Sequence, residues 1–463
     1  MSESGLQLAR EKMAAADMPQ PAIDVFTHYY RQVEDGITGF IAEDSISPLE
    51  NPDLLSDVDI SHADATAALS ATVMIKLNGG LGTSMGMAQA KSLLTVRAGR
   101  SFLDIIVDQV RHARAAYGVK LPLIFMNSFR THDDTLAALA AYDDLAVDCL
   151  DLDFVQSQEP KLRADDLSPI KWPADPSLEW CPPGHGDLYT SLVSSGVLDR
   201  LISLGYRYAM VSNSDNLGAA PDATLAGWFA ASEAPYAAEV CRRTAADRKG
   251  GHLAIRKADQ RLILRDTAQT AKEEMDYFTD EHRHPYFHTN NLWFDLQALA
   301  RILAERNAVL GLPLIKNVKT VDPADPESPE VIQIESAMGA AVEVFEGATA
   351  IGVGRERFLP VKTTNDLLLL RSDVYSTGDD GRMIKQEAPA PLVDLDPTYY
   401  KTIGAFEQRF PAGAPSLSGA TRLAVRGDWT FEEGVVVVGD VALADAGEPQ
   451  TVPAGSTLTT EGG

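Results

Sequence analysis

The 463-residue sequence predicts an α/β fold built around a mostly parallel sheet. Amphipathic stretches of helical period alternate with short apolar runs of strand length, and such alternation places helices on both faces of a parallel sheet. The chain is also too long for one compact core, so several domains are expected. The strand-length runs lie at residues 72–77, 121–126, 208–211, 237–240 and 331–334.

Residues 1–70 form a predicted N-terminal helical segment. Apolar residues recur at helical spacing over 6–16 and 22–36, and prolines punctuate these stretches. Residues 53–66 are acidic and indicate a solvated linker or a surface turn. The segment shows no pattern of chemically active residues.

Residues 71–378 form the predicted α/β domain. The stretch 102–117 is its clearest helix, because Phe102, Ile105 and Val110 fall on one face at helical period. Residues 379–463 have a different pattern, in which short, β-branched apolar runs are separated by Gly-Asp steps. This pattern predicts short strands with tight turns, and it favours a small β-helix-like C-terminal domain.

The charge balance excludes some classes of partner. The chain carries 40 Lys and Arg against 66 Asp and Glu, a formal net charge of −26. So acidic a protein repels nucleic acid and anionic membranes, and neither is expected as a partner. Three scattered cysteines, no signal-peptide pattern and no membrane-spanning apolar run predict a protein of the reducing cytoplasm.

The first candidate site is the string KLNGGLGTSMG at residues 76–86, which overlaps the end of the strand 72–77. Its glycines, Gly79, Gly80, Gly82 and Gly86, let the backbone approach a ligand and point N–H groups at phosphate oxygens. The spacing fits neither a Walker A loop nor the dinucleotide fingerprint. An ordinary glycine-rich turn remains the alternative. The loop continues to Lys91, which is placed to reach back to phosphates.

The second candidate is PPGHGDLY at residues 182–189. Two prolines and two glycines fix a tight loop, which presents His185 and Asp187 at the start of a helix predicted to continue through Leu198. A lone histidine is often structural, but His185 between two glycines has no evident packing role.

The third candidate is VSNSDNLG at residues 211–218, where an apolar strand ends in a polar turn. Asn213 and Asp215 therefore lie at the carboxyl edge of the sheet, where α/β proteins bind ligands. Ordinary turns are also rich in Asn and Asp. A phosphate-binding loop nearby favours a Mg²⁺ site at Asp215, since such ions combine one carboxylate with phosphate oxygens.

Further polar residues occupy apolar surroundings. Lys362 in FLPVKTTND lies between a proline-fixed turn and a helix start. Asn290, Asn291 and Glu335 lie inside apolar strands and must be paired with each other or with a ligand such as a sugar.

These motifs together resemble one family. KLNGGLGTSMG, FMNSFRTHDDT, PPGHGDLYTSL, VSNSDNLGA, TNNLWF and FLPVKTTNDLLL are similar, in this order, to the motifs of the eukaryotic UTP–glucose-1-phosphate uridylyltransferases. The resemblance covers roughly residues 71–375 and, more loosely, the C-terminal region. One departure is Met-Ala-Gln-Ala between Gly86 and Lys91, where the family usually has Cys-Lys-Gly-Pro.

The resemblance implies a Rossmann-like nucleotidyltransferase domain at 71–378 and a C-terminal domain at 379–463 resembling a left-handed β-helix. The implied reaction joins UTP and glucose 1-phosphate into UDP-glucose and pyrophosphate, reversibly and with Mg²⁺. The C-terminal domain often assists oligomerisation in the family, so a homo-oligomer formed through this domain is expected.

The resemblance also implies roles for individual residues. On the nucleotide side, Lys91 contacts the phosphates, and Asp215 and Lys362 also touch the nucleotide. The implied uracil and sugar wall is Leu77, Asn78, Gly79 and Gly80, and the implied uracil-edge contacts are Gln156 and Gly184.

For the second substrate and the metal, Asp215 is the implied Mg²⁺ ligand, and Lys362 and Lys91 are the implied catalytic lysines. The implied sugar-phosphate contacts are Gly79, Gly80, His185, Asn213, Ser214, Asn291 and Glu335. Because both substrates are anions, positive charge must gather locally, and the predicted sources are Lys76, Lys91, Lys362, Arg355 and Arg357.

Three alternatives remain open. A broader UDP-sugar pyrophosphorylase would use the same site with a looser sugar pocket. An inactive UDP-sugar-binding relative is disfavoured, because the glycine loop, His185, Asp215 and Lys362 occur together. An NAD-dependent dehydrogenase is disfavoured by the glycine spacing and by the long loop after the glycines.

Overall fold

The structure is a computed structural model that describes residues 2–244, 247–248, 250–386 and 389–460. The α-helices of these residues are α1 (Ser2–Ala15), α2 (Gln20–Glu34), α3 (His62–Ser70), α4 (Phe102–Tyr117), α5 (His132–Leu139), α6 (Leu188–Ser194), α7 (Val197–Ser203), α8 (Ala223–Ser232), α9 (Met275–Phe278), α10 (Leu296–Glu305), α11 (Thr364–Arg371), α12 (Pro397–Tyr400) and α13 (Ile403–Arg409).

The strands are β1 (Ile46–Pro48), β2 (Asp53–Leu54), β3 (Thr72–Asn78), β4 (Thr95–Arg97), β5 (Arg100–Ser101), β6 (Leu123–Asn127), β7 (Asp153–Val155), β8 (Glu159–Pro160), β9 (Leu162–Arg163), β10 (Trp180–Cys181), β11 (Tyr208–Asn213), β12 (Tyr236–Arg242), β13 (His252–Arg256), β14 (Leu262–Arg265), β15 (Tyr286–Asp295), β16 (Ile315–Thr320), β17 (Glu330–Glu335), β18 (Thr349–Gly352), β19 (Tyr375–Thr377), β20 (Met383–Lys385), β21 (Leu392–Leu395), β22 (Ser416–Val425), β23 (Trp429–Phe431), β24 (Val436–Leu443), β25 (Gln450–Val452) and β26 (Thr457–Thr459).

The central sheet has eleven strands, and its main path runs β2-β18-β12-β15-β11-β3-β6-β7. Every neighbouring pair on this path is parallel except the two that involve β15, which runs antiparallel to β11 and β12. The predicted α/β class with a mostly parallel sheet is confirmed. Because β3, β6, β7 and β11 run parallel, their carboxyl ends meet at one edge.

Both faces of this sheet are covered. Along β3, Val73 and Ile75 pack into one buried cluster, whereas Met74 packs into another on the opposite face. Successive side chains of a strand point to opposite faces, so this division shows a core on each side of the sheet. Helix α4 begins and ends as predicted, with a capping box at Ser101 and Asp104 and a left-handed C-cap at Gly118.

The N-terminal segment is more integrated than the sequence suggests. Helices α1 and α2 form as predicted, but β1 pairs with β13 and β2 pairs with β18, so residues 46–54 extend the main sheet system. Part of the predicted acidic linker is helix α3, which Ser61 caps.

Two other expectations differ from the structure. The helix predicted to run through Leu198 is interrupted, because Gly196 has φ of 75° and separates α6 from α7. Strand β17, predicted within the α/β region, lies in a separate three-stranded sheet with β16 and β9.

The C-terminal region is a stack of parallel strands. β21, β22, β24 and β26 pair in parallel, and so do β23 and β25. Parallel pairing of successive short strands is the arrangement that a β-helix requires, in agreement with the predicted β-helix-like domain. The predicted boundary at 378/379 lies in the turn of the β19–β20 hairpin.

No helix within the described ranges combines the length and apolarity that crossing a membrane requires.

Candidate active site

A cavity of about 450 Å³ opens at the edge where β3, β6, β7 and β11 end. The glycine loop, the PPGHG loop and the polar turn after β11 meet there, although they lie far apart in the sequence. Its walls include ten of the predicted site residues: Leu77, Gly79, Gly80, Lys91, Gln156, Gly184, His185, Asn213, Ser214 and Asp215. This is the carboxyl edge at which parallel α/β sheets bind ligands.

The glycine loop turns sharply back on itself after β3. Gly82 and Gly86 have φ of 66° and 71°, a left-handed conformation that glycine adopts without steric cost. The backbone N–H of Lys91 donates to the carbonyl of Gly80 at 3.0 Å, which closes the loop and brings the lysine beside the glycines. Ser128 Oγ donates to the carbonyl of Gly79 at 2.9 Å and holds the base of the loop.

Gln156 comes directly after β7 and faces the glycine loop closely. A Cβ at Gly79 would lie 2.7 Å from Gln156 Nε2, so only glycine leaves room for this contact. The next residue, Ser157, donates its backbone N–H to Asp187 Oδ2 at 2.6 Å, which ties the Gln156 loop to the PPGHG loop. Burial raises the pKa of Asp187 to about 6, because desolvation disfavours the carboxylate.

His185 is held as a neutral ring. The backbone N–H of Met338 donates to His185 Nδ1 at 2.9 Å, so the neutral imidazole carries its proton on Nε2. Burial lowers the pKa of His185 to about 4, so the ring is uncharged at neutral pH. His185 therefore offers the cavity an N–H donor without a positive charge.

Lys91 and Asp215 form an ion pair on the cavity wall. Lys91 Nζ lies 2.5 Å from Asp215 Oδ2, and both side chains are mostly buried. Asn213 supplies an amide oxygen two residues away, which accepts from Asn290 Nδ2 at 3.4 Å. A carboxylate and an amide oxygen are hard donors of the kind that divalent cations prefer.

Lys362 lines a second cavity of about 360 Å³, which shares His185, Asn213 and Asp215 with the first. Its backbone N–H donates to Asp366 Oδ2 at 2.8 Å, and Thr363 caps helix α11 in a capping box with Asp366. The two predicted catalytic lysines thus lie on adjoining cavities, with Asp215 common to both.

Three predicted site residues do not line either cavity. Asn78 is buried, and its amide donates to Asn127 Oδ1 at 2.8 Å. Asn291 is buried in a polar network behind the cavities. Glu335 lies at the end of β17, 4.0 Å from Lys319 Nζ.

Three of the residues predicted to supply positive charge are buried or paired with a carboxylate. Lys76 is fully buried, donates to Ser212 Oγ and the carbonyl of Ala219, and has its pKa lowered to about 7 by burial. Arg357 is buried in an ion pair with Glu239, and Arg355 is paired with Asp247 at 2.8 Å. Burial therefore corrects the expectation that Lys76 and Arg357 supply charge to bound phosphates. Arg355 is paired with a carboxylate, as Lys91 is, and stays a predicted source of charge with Lys91 and Lys362.

Sequence reasoning did not single out every lining residue. Met126 lies near the end of β6 and lines the first cavity. His288 lines the second. The position of Met126 near the end of a predicted strand could have identified it as a lining residue. His288 lies in the middle of a strand, and no local pattern marks it as one.

Comparison with known proteins agrees with this geometry. A family model described as UTP–glucose-1-phosphate uridylyltransferase matches residues 23–438. Over 412 residues, the chain is 39% identical to the UTP–glucose-1-phosphate uridylyltransferase of Solanum tuberosum, covering 88% of this chain and 84% of that protein. The probable enzyme of the same name from Schizosaccharomyces pombe is 37% identical over 395 residues, which are 84% of this chain and 76% of that protein.

Solved structures show the same relationship. A variant of the UDP-glucose pyrophosphorylase of Leishmania major in complex with UDP-Glc superposes with a TM-score of 0.92 at 39% identity, covering 99% of this chain and 98% of that one. The UDP-glucose phosphorylase of Trypanosoma brucei gives a TM-score of 0.91 at 42% identity, covering 98% of each chain. The chain therefore belongs to the UTP–glucose-1-phosphate uridylyltransferase family.

Proposed function

We propose that this protein transfers the uridylyl group of UTP to glucose 1-phosphate, giving UDP-glucose and pyrophosphate. The observation that carries the proposal is the convergence of the glycine loop, Lys91, Asp215 and Lys362 on two adjoining cavities. Backbone N–H groups and a lysine suit a triphosphate, while His185 and Asn213 offer neutral polar atoms to sugar hydroxyls. Family membership supports the same activity.

The chemistry demands alignment more than acid or base catalysis. The attacking phosphate oxygen of glucose 1-phosphate is already anionic, so no group has to remove a proton from it. In-line attack on the α-phosphorus builds charge on the equatorial oxygens and on the departing pyrophosphate. Lys91 and Lys362 neutralise that charge from two sides, and no covalent intermediate is needed.

A divalent metal fits this site, and we propose Mg²⁺ with Asp215 as its protein ligand. The carboxylate of Asp215 lies on the walls of both cavities and would hold the ion, and bound phosphates would supply further oxygen ligands of the kind that Mg²⁺ prefers. The ion, when bound, stabilises charge on the phosphates. Lys91 is paired with Asp215, so a metal bound at Asp215 would compete with this ion pair and leave the lysine available to a phosphate.

The remaining site residues divide by substrate. Gln156 and Gly184 flank the glycine loop and are assigned to uracil, together with Leu77, Gly79 and Gly80. His185, Asn213 and Ser214 are assigned to the sugar phosphate. Asn78, Asn291 and Glu335 stay predicted contacts, although these residues do not line the cavities.

The decisive experiment measures pyrophosphate release from UTP with glucose, galactose and N-acetylglucosamine 1-phosphates, each with and without Mg²⁺. The expected result is metal-dependent release with a clear preference for glucose 1-phosphate. Equal kcat/KM for glucose and galactose 1-phosphates would indicate the broader UDP-sugar activity. Binding of UDP-glucose without any turnover would indicate an inactive relative.

We also propose a cytoplasmic, homo-oligomeric protein. All three cysteines are free thiols, as a reducing compartment favours. Exposed apolar side chains on the C-terminal domain, Leu392 and Val438, support self-association through that domain. Sedimentation equilibrium of the wild type and of Leu392→Ser with Val438→Ser tests this, since a monomeric wild type would contradict it.

A further inference from the structure

A buried polar network lies directly behind the two cavities. Its centre is the ion pair of Arg357 and Glu239, whose side chains are 3% and 0% exposed. The pair is bidentate: Arg357 Nε donates to Glu239 Oε2 at 2.8 Å, and Nη2 donates to Oε1 at 2.9 Å. Trp293 Nε1 also donates to Glu239 Oε1, at 3.0 Å.

Two buried amides connect this ion pair to the segment that precedes Lys362. Asn216 Nδ2 and Asn291 Nδ2 both donate to the backbone carbonyl of Arg357, at 3.1 and 3.2 Å. They also contact each other, since Asn216 Nδ2 lies 3.1 Å from Asn291 Oδ1. Asn291 Nδ2 reaches Glu239 Oε2 at 3.1 Å, so the ion pair and the amides form one unit.

The same unit holds the chain from Arg357 to Lys362 against the turn that carries Asp215. Asn216 Oδ1 accepts the backbone N–H of Leu359 at 2.8 Å. The carbonyl of Asp215 accepts the backbone N–H of Val361 at 3.3 Å. Lys362 is the next residue, so its backbone position is set by bonds to residues 215 and 216.

We propose that Asn216 and Asn291, braced by the Glu239–Arg357 ion pair, are positioning residues that fix Lys362 relative to Asp215 for the reaction. This inference rests on the proposed role of Lys362 and gives Asn291 a task other than the predicted sugar contact. Both amides act through the backbone of residues 357–361. Asn291 lines neither cavity, and Asn216 borders only the second.

A purely structural role predicts a different pattern of kinetics. If the network only stabilises the fold, its loss lowers stability and affects kcat equally whether or not Lys362 is present. If the network acts by placing Lys362, its loss has no further effect on kcat once that lysine is removed. A double-mutant cycle separates the two cases.

The test uses Asn216→Ser, Lys362→Ala and the double variant, assayed for kcat and for KM of UTP. Asn216→Ser is expected to lower kcat about tenfold or more while KM for UTP stays within about twofold, and the double variant is expected to match Lys362→Ala alone. Multiplicative losses in the double variant would overturn the inference. Unchanged kcat in Asn216→Ser would overturn it as well.

Two further variants keep the test decisive. Asn291→Ser removes the other amide and takes the place of Asn216→Ser if that variant does not fold; unfolding of both assigns the network to stability and overturns the inference. Tyr400→Phe is the matched control, because it removes a buried hydrogen bond to the carbonyl of Trp429 in the C-terminal domain and should leave kcat unchanged. Normal turnover in Lys362→Ala contradicts the proposed role of Lys362 itself, which is a separate failure.

Discussion

The charge of each polar side chain near the cavities is decided by its burial and its partners. Lys91 and Lys362 line the cavities, whereas Lys76 lies beneath them with a pKa lowered to about 7. His185 is neutral at physiological pH because burial lowers its pKa to about 4. The site is therefore less positive than a count of its basic residues suggests, and Lys91 and Lys362 are the lysines proposed to contact the phosphates.

Lys362→Ala should lower kcat about 10²-fold or more, the scale of losing one preorganised electrostatic donor. Steady-state pyrophosphate release at saturating UTP and glucose 1-phosphate measures the effect. Lys401→Ala, which removes an exposed lysine of the C-terminal domain, serves as the control. Near-normal turnover of Lys362→Ala would show that another group carries the charge.

Asp187 makes stability depend on pH in a defined direction. Its pKa is raised from 3.8 to about 6 by burial, so between these values the folded state holds a proton that the unfolded state has lost. The contribution of Asp187 to stability is therefore complete below about pH 4 and is lost as the pH rises through 6.

Asp187→Asn should remove this dependence, because a neutral amide keeps an acceptor for the backbone N–H of Ser157. Relative to the wild type, the free energy of unfolding of the variant should rise by about 1 to 3 kcal/mol between pH 4 and pH 7. Urea denaturation at both pH values measures it. If the free energies of unfolding of the two proteins differ by the same amount at pH 4 and pH 7, Asp187 is not the source of the pH dependence.

At the scale of elements, the loops that build the cavity tolerate change unequally. A Cβ at Gly79 meets the flexible end of Gln156, whereas a Cβ at Gly184 lies 2.6 Å from the backbone oxygen of Ser336. Gly184 also has φ of 79°, which non-glycine residues rarely adopt. At Gly79 the glycine loop can therefore adjust by moving a side chain, whereas at Gly184 the PPGHG loop cannot.

Gly79→Ala should raise KM for UTP several-fold with little change in melting temperature, because Gln156 is displaced from its place in the cavity. Gly184→Ala should lower the melting temperature as well as activity, since backbone must move and strain is added. Thermal melts and UTP titrations of both variants check this. Equal melting temperatures for the two variants would contradict the distinction.

The element boundaries were predictable where local chemistry sets them. Helix α4 agrees with the range predicted from its apolar period, and its capping box and Gly118 C-cap are local features as well. Strands β1 and β2 were missed because they have only three and two residues and exist through pairing with β13 and β18. Pairing between distant segments leaves no periodicity in either segment alone.

At the scale of the whole molecule, one buried apolar cluster crosses the predicted domain boundary. Leu367, Leu368 and Val374 of the α/β region belong to the same cluster as Val393 and Tyr400 of the C-terminal region. Asp373 also accepts hydrogen bonds from the backbone N–H groups of residues 417 and 418. The predicted boundary at 378/379 therefore runs through a shared apolar core.

A chain that ends at residue 378 should consequently lose its cooperative thermal transition or melt far below the full-length chain. Removing the C-terminal region exposes large apolar surface on α11 and on the residues just after it. Circular dichroism melts of the two chains make the comparison, with the full-length chain as the control. An unchanged melting temperature would show that the boundary at 378/379 separates independent folding units.

Local patterns in the amino-acid sequence were enough to predict the α/β class, several of the main strands and helices, and the loops at which the cavity forms. These features depend on hydrophobic period, capping residues and glycine spacing, which neighbouring residues set among themselves. Which polar residues face the cavity was settled only by the packing of distant segments. Lys76, Arg357 and Lys91 are all basic residue types, yet the packing of distant segments buries the first two and leaves the third beside Asp215. The side of a sheet or loop that a residue faces depends on partners far away in the chain.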